Sequence, residues 1–284
     1  MKRTITVVVL SLCLLLPIAA QQQPSTTPPT SAPQQNPPQA TPLPGSPAQG
    51  EHGFVEAGGD YFALSNGFGV WNGAYLRAFV TGGNHTFNGE VTGQREFGDT
   101  GVYLGAGDTY TFNPDWYGSL NLGSSVGGFF YPRFRVDGFI NRKLLARRQM
   151  ILSLGGGYYA AKDVHRDYSF SAGAVYYFAA PWIFETGVRF NVSTPGNVFS
   201  PSGFIAVTQG RNKHQYVVTR AGFAREAYQL IGPRAVLSDF ISQEVSFTWR
   251  RWVGKSWGIN AIGEYYHNPS YERGGASFGI FKEF

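Results

Sequence analysis

The stretch FVEAGGDYFALSNGFGVWNGAYLRAFV, residues 54–80, carries aromatic or aliphatic side chains at alternate positions, with glycine or charge between them. It is too polar for a membrane helix and too rich in glycine for a helix in a soluble core. A period of two is typical of a β-strand with one apolar face. The stretch therefore predicts two strands joined by a turn, and the rest of the chain must decide what covers their apolar face.

The same alternation continues without a visible boundary from residue 51 to residue 284, interrupted about every 15 residues by glycine, asparagine or proline. We predict about fourteen strands, and twelve also fits the uncertain boundaries. They lie at 53–63, 71–81, 86–96, 100–111, 116–126, 133–142, 149–160, 166–178, 182–193, 203–209, 215–225, 241–252, 257–266 and 272–284. All seven prolines of this region fall in the gaps, as expected for a residue that cannot donate to a strand ladder.

The environment of the apolar face is indicated by composition and by the ends of the strands. Charged residues make up only 14% of the chain and aromatic residues 16%, and all six tryptophans lie near predicted strand ends. Tryptophan prefers the membrane–water boundary, so these residues predict an aromatic girdle. The longest gaps, 64–70, 194–202 and 226–240, all fall at one end of the predicted strands, as the outer loops of bacterial outer-membrane barrels do.

These features together predict an all-β fold: a single antiparallel transmembrane β-barrel in the outer membrane of a Gram-negative, diderm bacterium. In this fold Val55 and Tyr61 face lipid, while Glu56 and Asp60 face a wet interior. A soluble secreted β-sandwich is the alternative fold, because alternation alone does not distinguish lipid from a second sheet.

Two segments precede the predicted barrel, which spans residues 51–284. Residues 1–20 carry Lys2 and Arg3, a short apolar run and a small-residue site, which is the pattern of a secretory signal peptide. Residues 21–50 contain nine prolines and seven glutamines with no charge and no aromatic residue, which predicts a disordered linker in the periplasm. Cys13 is the only cysteine and lies in the signal peptide, so a disulfide in the mature chain is excluded.

The hairpin EAGGDYFALSNGFGVWNGAYLRAF, residues 56–79, resembles the first hairpin of the YaiO family of outer-membrane β-barrels. The chain ends in ASFGIFKEF, which resembles the terminal strand of outer-membrane barrels generally, although Lys282 occupies a position that is usually apolar. The resemblance implies an outer-membrane location, recognition of the strand ending at Phe284 by the barrel-assembly machinery, and an association with surface-polysaccharide systems. It implies no catalytic residue.

Charged side chains fall on the predicted inner face of the strands. They could form a charged lining that guides a polar solute through a narrow, porin-like pore, or arginine–carboxylate pairs that fill the barrel. The candidates for lining the lumen are Glu56, Asp60, Arg77, Arg133, Arg135, Asp137, Glu185, Arg189, Arg220, Glu244, Arg250 and Glu264.

A catalytic role has one candidate segment, KDVHRDYS at 162–169. Its residues Asp163, His165, Asp167 and Ser169 could supply the acid, base and nucleophile of an outer-membrane hydrolase acting on lipid or peptide. A hydrophilic loop explains the same residues, so we expect no enzyme, and we expect no cofactor. No two of the five histidines have metal-ligand spacing, and the mild charge of the mature chain does not favour nucleic acid.

The function predicted from sequence is an integral outer-membrane barrel that acts as a narrow pore or as a component of polysaccharide export at the cell surface. Its expected partners are outer-membrane lipids and lipopolysaccharide, the assembly machinery and polysaccharide.

Overall fold

The computed structural model describes residues 52–179, 181–232 and 235–284, which form a closed antiparallel barrel of fourteen strands. The predicted signal peptide and linker lie outside these residues. The strands are β1 (His52–Leu64), β2 (Val70–Gly82), β3 (His85–Glu96), β4 (Asp99–Asn113), β5 (Trp116–Gly127), β6 (Phe134–Leu144), β7 (Met150–Ala160), β8 (Arg166–Tyr177), β9 (Trp182–Thr194), β10 (Val198–Arg211), β11 (Gln215–Gly232), β12 (Ala235–Trp252), β13 (Trp257–His267) and β14 (Glu272–Glu283). The predicted fold class is confirmed, and the β-sandwich alternative is wrong because all strands belong to one closed sheet.

Each strand pairs with the next along the chain, and the first strand closes the barrel by pairing with the last from Phe54–Glu283 to Leu64–Arg273. Closure leaves no free strand edge. The unpaired N–H and C=O groups of such an edge would find no hydrogen-bond partners in the hydrocarbon of a bilayer. We call the end of the barrel that carries His52 and Phe284 the near end, and the opposite end the far end. Within the described residues, no helix is long and apolar enough to span a membrane.

The two faces of the sheet differ in the way that the alternation predicts. Large apolar side chains on the outer face are highly exposed, with Leu120 at 53%, Phe184 at 37% and Phe247 at 51%. Their neighbours along each strand point inward, where Glu56 is fully buried. A closed sheet with an apolar outside and a polar inside is the arrangement of a membrane barrel, in which lipid covers the outer face.

Three strands, β10, β11 and β12, extend by at least five residues beyond their predicted ends. The predicted gap at 226–240 is instead the extended end of a β11–β12 hairpin, whose pairs continue from Glu226–Phe240 to Gly232–Ala235. The strand β10 begins at Val198, so Pro201 lies within a strand and the prediction that all prolines fall in gaps is wrong. The β10–β11 ladder starts only at Ser202, so Pro201 is paired on one side alone, which a residue without an N–H tolerates.

The tryptophans are divided between the two faces. Trp116, Trp182, Trp249 and Trp257 point outward in the near half of the barrel, as a girdle requires. The other two are a correction, because Trp71 at 3% exposure packs inside the far mouth and Trp252 packs against the inward ring of Phe281. A strand end can bury an indole in the barrel mouth as well as place it in the headgroup region.

Candidate functional site

The interior of the near half is built around Glu56, which comes from β1 and is 0% exposed. Its carboxylate accepts hydrogen bonds from Arg250 Nη1 at 2.7 Å, Tyr75 Oη at 3.1 Å and Asn260 Nδ2 at 3.1 Å. These donors come from β12, β2 and β13, so one buried anion ties together strands on both sides of the β1–β14 seam. Arginine and two neutral donors satisfy a charge that would otherwise be costly to bury.

Aromatic rings cover the same arginine toward the near end. The Arg250 guanidinium lies 3.7 Å from the centroid of the Phe281 ring and 4.8 Å from that of Phe54. Phe54 stacks on Phe79 at 4.8 Å, and Trp252 meets Phe281 edge to face at 5.2 Å. The near end is therefore filled by side chains along the part of the wall that runs from β12 through the seam to β2.

The far mouth is filled on the same side of the barrel. A buried cluster, which we call the far cluster, consists of Phe62, Leu64, Trp71, Tyr266 and Tyr271. Arg273, only 1% exposed, lies beside it with its guanidinium 4.5 Å from the Trp71 ring, and it forms an ion pair with Glu264. Cation–π contacts and a carboxylate together compensate the burial of this arginine.

The extended end of the β11–β12 hairpin lies across the far mouth. Four consecutive residues, 227–230, are buried, so both faces of this strand segment are covered. Tyr228 Oη donates to Asp167 Oδ1 at 2.6 Å, and the rings of Tyr228 and His165 lie 4.5 Å apart. On the opposite side, Gln229 Nε2 donates to Tyr271 Oη at 2.5 Å. The hairpin thus bridges from the β8 side of the mouth to the far cluster.

The rest of the inner wall, from β4 to β9, carries small, polar and aromatic residues. Its small inward residues include Gly105, Gly107, Ser119, Gly123, Ser153, Gly155, Gly157, Ser169, Ser171 and Gly173, which alternate with outward residues. The larger side chains on this wall are aromatic or charged: Tyr103, Tyr117, Phe139, Tyr159, Tyr177, Arg135, Asp137 and Arg189. Arg135 pairs with Asp137, whose other oxygen is 3.7 Å from Arg189. Hydroxyl, amide and charged groups of this wall therefore face the interior among the aromatic rings.

Eleven of the twelve sequence-predicted lining residues lie at inward positions of the strands, as the register shows. Arg77 pairs with Glu90 at 3.4 Å, and Arg220 lies over the Phe204 ring at 3.6 Å. The structure brings only some of them together, chiefly Glu56 with Arg250 and Asp137 with Arg135 and Arg189. Arg133 is a correction, because it lies in the exposed connection before β6 and donates to the Lys162 carbonyl at 2.7 Å.

Several inward charged residues were missed by the sequence analysis: Glu90, Glu96, Lys143, Asp167, Glu226 and Arg273. Strand parity would have identified most of them, because each alternates with an outward apolar or small residue. Glu226 was hidden by the prediction of a loop at 226–240. The partners of these residues were not predictable, because they are set by the closure of the barrel.

The residues suggested for a hydrolase, Asp163, His165, Asp167 and Ser169, make structural contacts. His165 is 4% exposed, its Nδ1 lies 2.8 Å from Asp163 Oδ2, and its ring packs on Tyr228. Ser169 contacts the Gly157 carbonyl and lies four residues further along, about 13 Å of extended chain from His165. Asp167 accepts the Tyr228 hydroxyl. Asp167 and His165 contact the hairpin through Tyr228, whereas Ser169 faces β7, so these side chains do not converge on one reacting position. The described residues contain no metal-binding group of acidic, histidine or cysteine side chains.

Comparison with known proteins gives the family. The model of the YaiO membrane beta barrel domain matches residues 53–229, more than half of the chain. The chain belongs to the YaiO family. The resemblance noted in the first hairpin is thereby confirmed, and the YaiO barrel is an outer-membrane protein.

Solved structures share the fold of this YaiO barrel at low sequence identity. The CymD monoaromatic hydrocarbon channel has a TM-score of 0.55 at 7% identity, with 81% of this chain and 87% of that chain covered. The P. putida toluene transporter TodX has a TM-score of 0.54 at 12% identity, with 82% and 90% covered. No curated protein matches the sequence. At these identities the likeness concerns the barrel alone.

Proposed function

We propose that this protein is a narrow, gated conduit for small polar solutes across the outer membrane, and that the β11–β12 hairpin is its gate. The observation that carries the proposal is the hairpin itself, which lies across the far mouth beside a polar wall and is held by a few side-chain hydrogen bonds. Loops that fold into a barrel mouth on such contacts can open without unfolding the barrel. We place the near end, which carries His52 and Phe284, on the periplasmic side.

The polar groups on the inner wall from β4 to β9 favour polar solutes. Its hydroxyl, amide and backbone groups, together with the Arg135–Asp137–Arg189 group, offer donors and acceptors along the β4–β9 side. A polar, charged lining selects solutes that exchange hydrogen bonds with it. Because hydroxyl, amide and charged groups face the interior on this wall, we do not extend to this chain the hydrocarbons in the names of CymD and TodX.

The gate is tested by shortening the hairpin. Replacing residues 227–239 by Asn-Gly joins the paired residues Glu226 and Phe240 through a tight turn. We expect the single-channel conductance in planar bilayers to rise several-fold over that of the full chain. Equal and negligible conductance of both proteins would show that the side chains of the interior, rather than the hairpin, block the barrel, and would contradict the proposal.

A smaller change tests the latch between the hairpin and β8. Tyr228→Phe removes the hydroxyl that donates to Asp167 while it keeps the ring contact with His165. A hydrogen bond to a charged group contributes about 1.5–3 kcal/mol, so we expect the open probability to rise about tenfold or more. The matched control is Tyr168→Phe on the outer face of β8, where the ring is 55% exposed. An unchanged open probability in Tyr228→Phe would exclude this latch.

A further inference from the structure

The near end of the barrel carries a surplus of exposed cations. Eight exposed basic side chains surround it: Arg142, Arg147, Arg148, Arg211, Lys213, Arg251, Lys255 and Lys282. The acidic side chains described at this end are Asp108, Asp115 and Glu283, which are engaged with His85, Arg148 and Lys213. No carboxylate of the described residues forms a salt bridge with the remaining six cations, so their charge faces the surroundings.

The far end shows no such surplus. Its basic side chains Arg95, Arg133, Lys162, Arg166 and Arg225 are accompanied by Asp99, Asp163, Asp239 and Glu272 among the described residues. Arg225 is paired with Asp239 through two hydrogen bonds, at 2.6 and 2.9 Å. The imbalance is therefore a property of the near rim and not of the whole surface.

Each outward tryptophan has one of these cations beside it on the same face. Arg142 pairs with Trp116 across β5 and β6, with its guanidinium 5.1 Å from the indole. Lys282 pairs with Trp257 across β13 and β14.

The other two pairs follow from the register. Arg211 is two residues beyond the partner of Trp182 on β10, and Arg251 is two residues beyond Trp249 on β12. Residues two apart on a strand share a face and lie about 7 Å apart. The same arrangement thus occurs at four places around the barrel. At each, a cation lies either directly opposite an indole on the neighbouring strand or two residues nearer the barrel end.

We propose that these four tryptophan–cation pairs bind the headgroup phosphates of glycerophospholipids in the leaflet around the near end, with a preference for headgroups of net negative charge. The indoles mark the level at which hydrocarbon gives way to headgroups, and the anions within reach at that level are lipid phosphates.

The pairs occur on β5–β6, β9–β10, β12 and β13–β14, around much of the circumference. A ring of lipids can occupy all of them at once, whereas a globular acidic protein would approach from one direction. The proposal rests on the membrane position of the barrel and not on whether its lumen conducts.

The test compares two variants with equal change in charge. The near-rim variant carries Arg142→Gln, Arg211→Gln, Arg251→Gln and Lys282→Gln, and the far-rim control carries Arg95→Gln, Arg133→Gln, Lys162→Gln and Arg225→Gln. Each full-length barrel is reconstituted in phosphatidylcholine vesicles that contain spin-labelled phosphatidylglycerol or spin-labelled phosphatidylcholine. Electron spin resonance then gives the ratio of the two association constants for the lipids that contact the protein.

We expect the unmodified barrel to favour phosphatidylglycerol by about two- to fivefold, since one basic residue at a membrane surface changes binding by up to about fivefold. The ratio should fall to about one in the near-rim variant and persist in the far-rim control. Equal losses in both variants, or a ratio near one in the unmodified barrel, would overturn the proposal. If soluble polyglutamate abolishes the preference, the rim suits an acidic polypeptide and the lipid assignment is wrong. Should the near-rim variant not fold, Arg142→Gln and Lys282→Gln are measured singly.

Discussion

Glu56→Gln is expected to lower the free energy of unfolding by about 3–5 kcal/mol, because it removes the carboxylate that compensates the charge of Arg250 in a buried pair. Glu56 is fully buried and Arg250 has a side-chain exposure of 17%, so water cannot replace the lost partner. The two neutral donors, Tyr75 and Asn260, still find an amide oxygen in the variant, so the effect reports the charge. Equilibrium urea unfolding in lipid vesicles, followed by tryptophan fluorescence, measures it.

The matched control is an exposed ion pair of the same chemistry. Arg225 and Asp239 are about half exposed, at 52% and 54%, and Asp239→Asn is expected to change the free energy of unfolding by less than about 1 kcal/mol. Similar losses in Glu56→Gln and Asp239→Asn would show that burial does not govern the strength of these pairs, and the description of the near-end interior would have to be abandoned.

Leu120→Arg is expected to destabilise the barrel by about 2–4 kcal/mol, because the new charge would lie near the centre of the hydrocarbon layer. Leu120 is in the middle of β5, points outward and is 53% exposed, so no protein contact of comparable size is lost. The measurement is again urea unfolding in vesicles, with heat-modifiable migration in gels as the test that the barrel has closed.

Val126→Arg provides the comparison on the same strand and the same face. Val126 is 69% exposed and lies next to the last residue of β5, where a long side chain can reach water. We expect a cost of about 0–1 kcal/mol there. If Leu120→Arg were as mild as Val126→Arg, the outer face of β5 would not be covered by hydrocarbon, and the transmembrane position of the barrel would be refuted.

The fold was largely predictable because its two determinants are local. Alternation assigns the faces, as in Glu56 and Asp60 against Val55 and Tyr61, and turn residues mark most strand ends. The hairpin beyond Glu226 was missed because the Gly-Pro pair at 232–233 indicates a loop. Pairing across the hairpin, together with contacts at the mouth, extended the strands through a segment whose sequence does not require them.

The interior contacts were predictable only in part. Strand parity predicted that the side chain of Arg250 points inward. Its partner Glu56 was not predictable, because it lies 194 residues away and contacts Arg250 only when β14 pairs with β1. Trp71 has the parity of Arg77, which assigns it to the inside, yet its position at a strand end suggested the membrane boundary. Arg133 was predicted as the first residue of its strand, but β6 begins at Phe134. A shift of one residue at a strand boundary moves a side chain from the lumen to the connecting loop.

The seam between β1 and β14 joins the two termini of the barrel, with hydrogen bonds in both directions between Gly53 and Phe284 at 3.1 Å. The β1–β14 ladder is complete only when the residues up to Phe284 have paired with β1. Every earlier intermediate exposes two unpaired edges, and such long-range pairing is slow to form. Closure of the barrel therefore depends on the strand that ends at Phe284: until β14 has paired, the other thirteen strands form an open sheet with two unpaired edges that can pair with other chains.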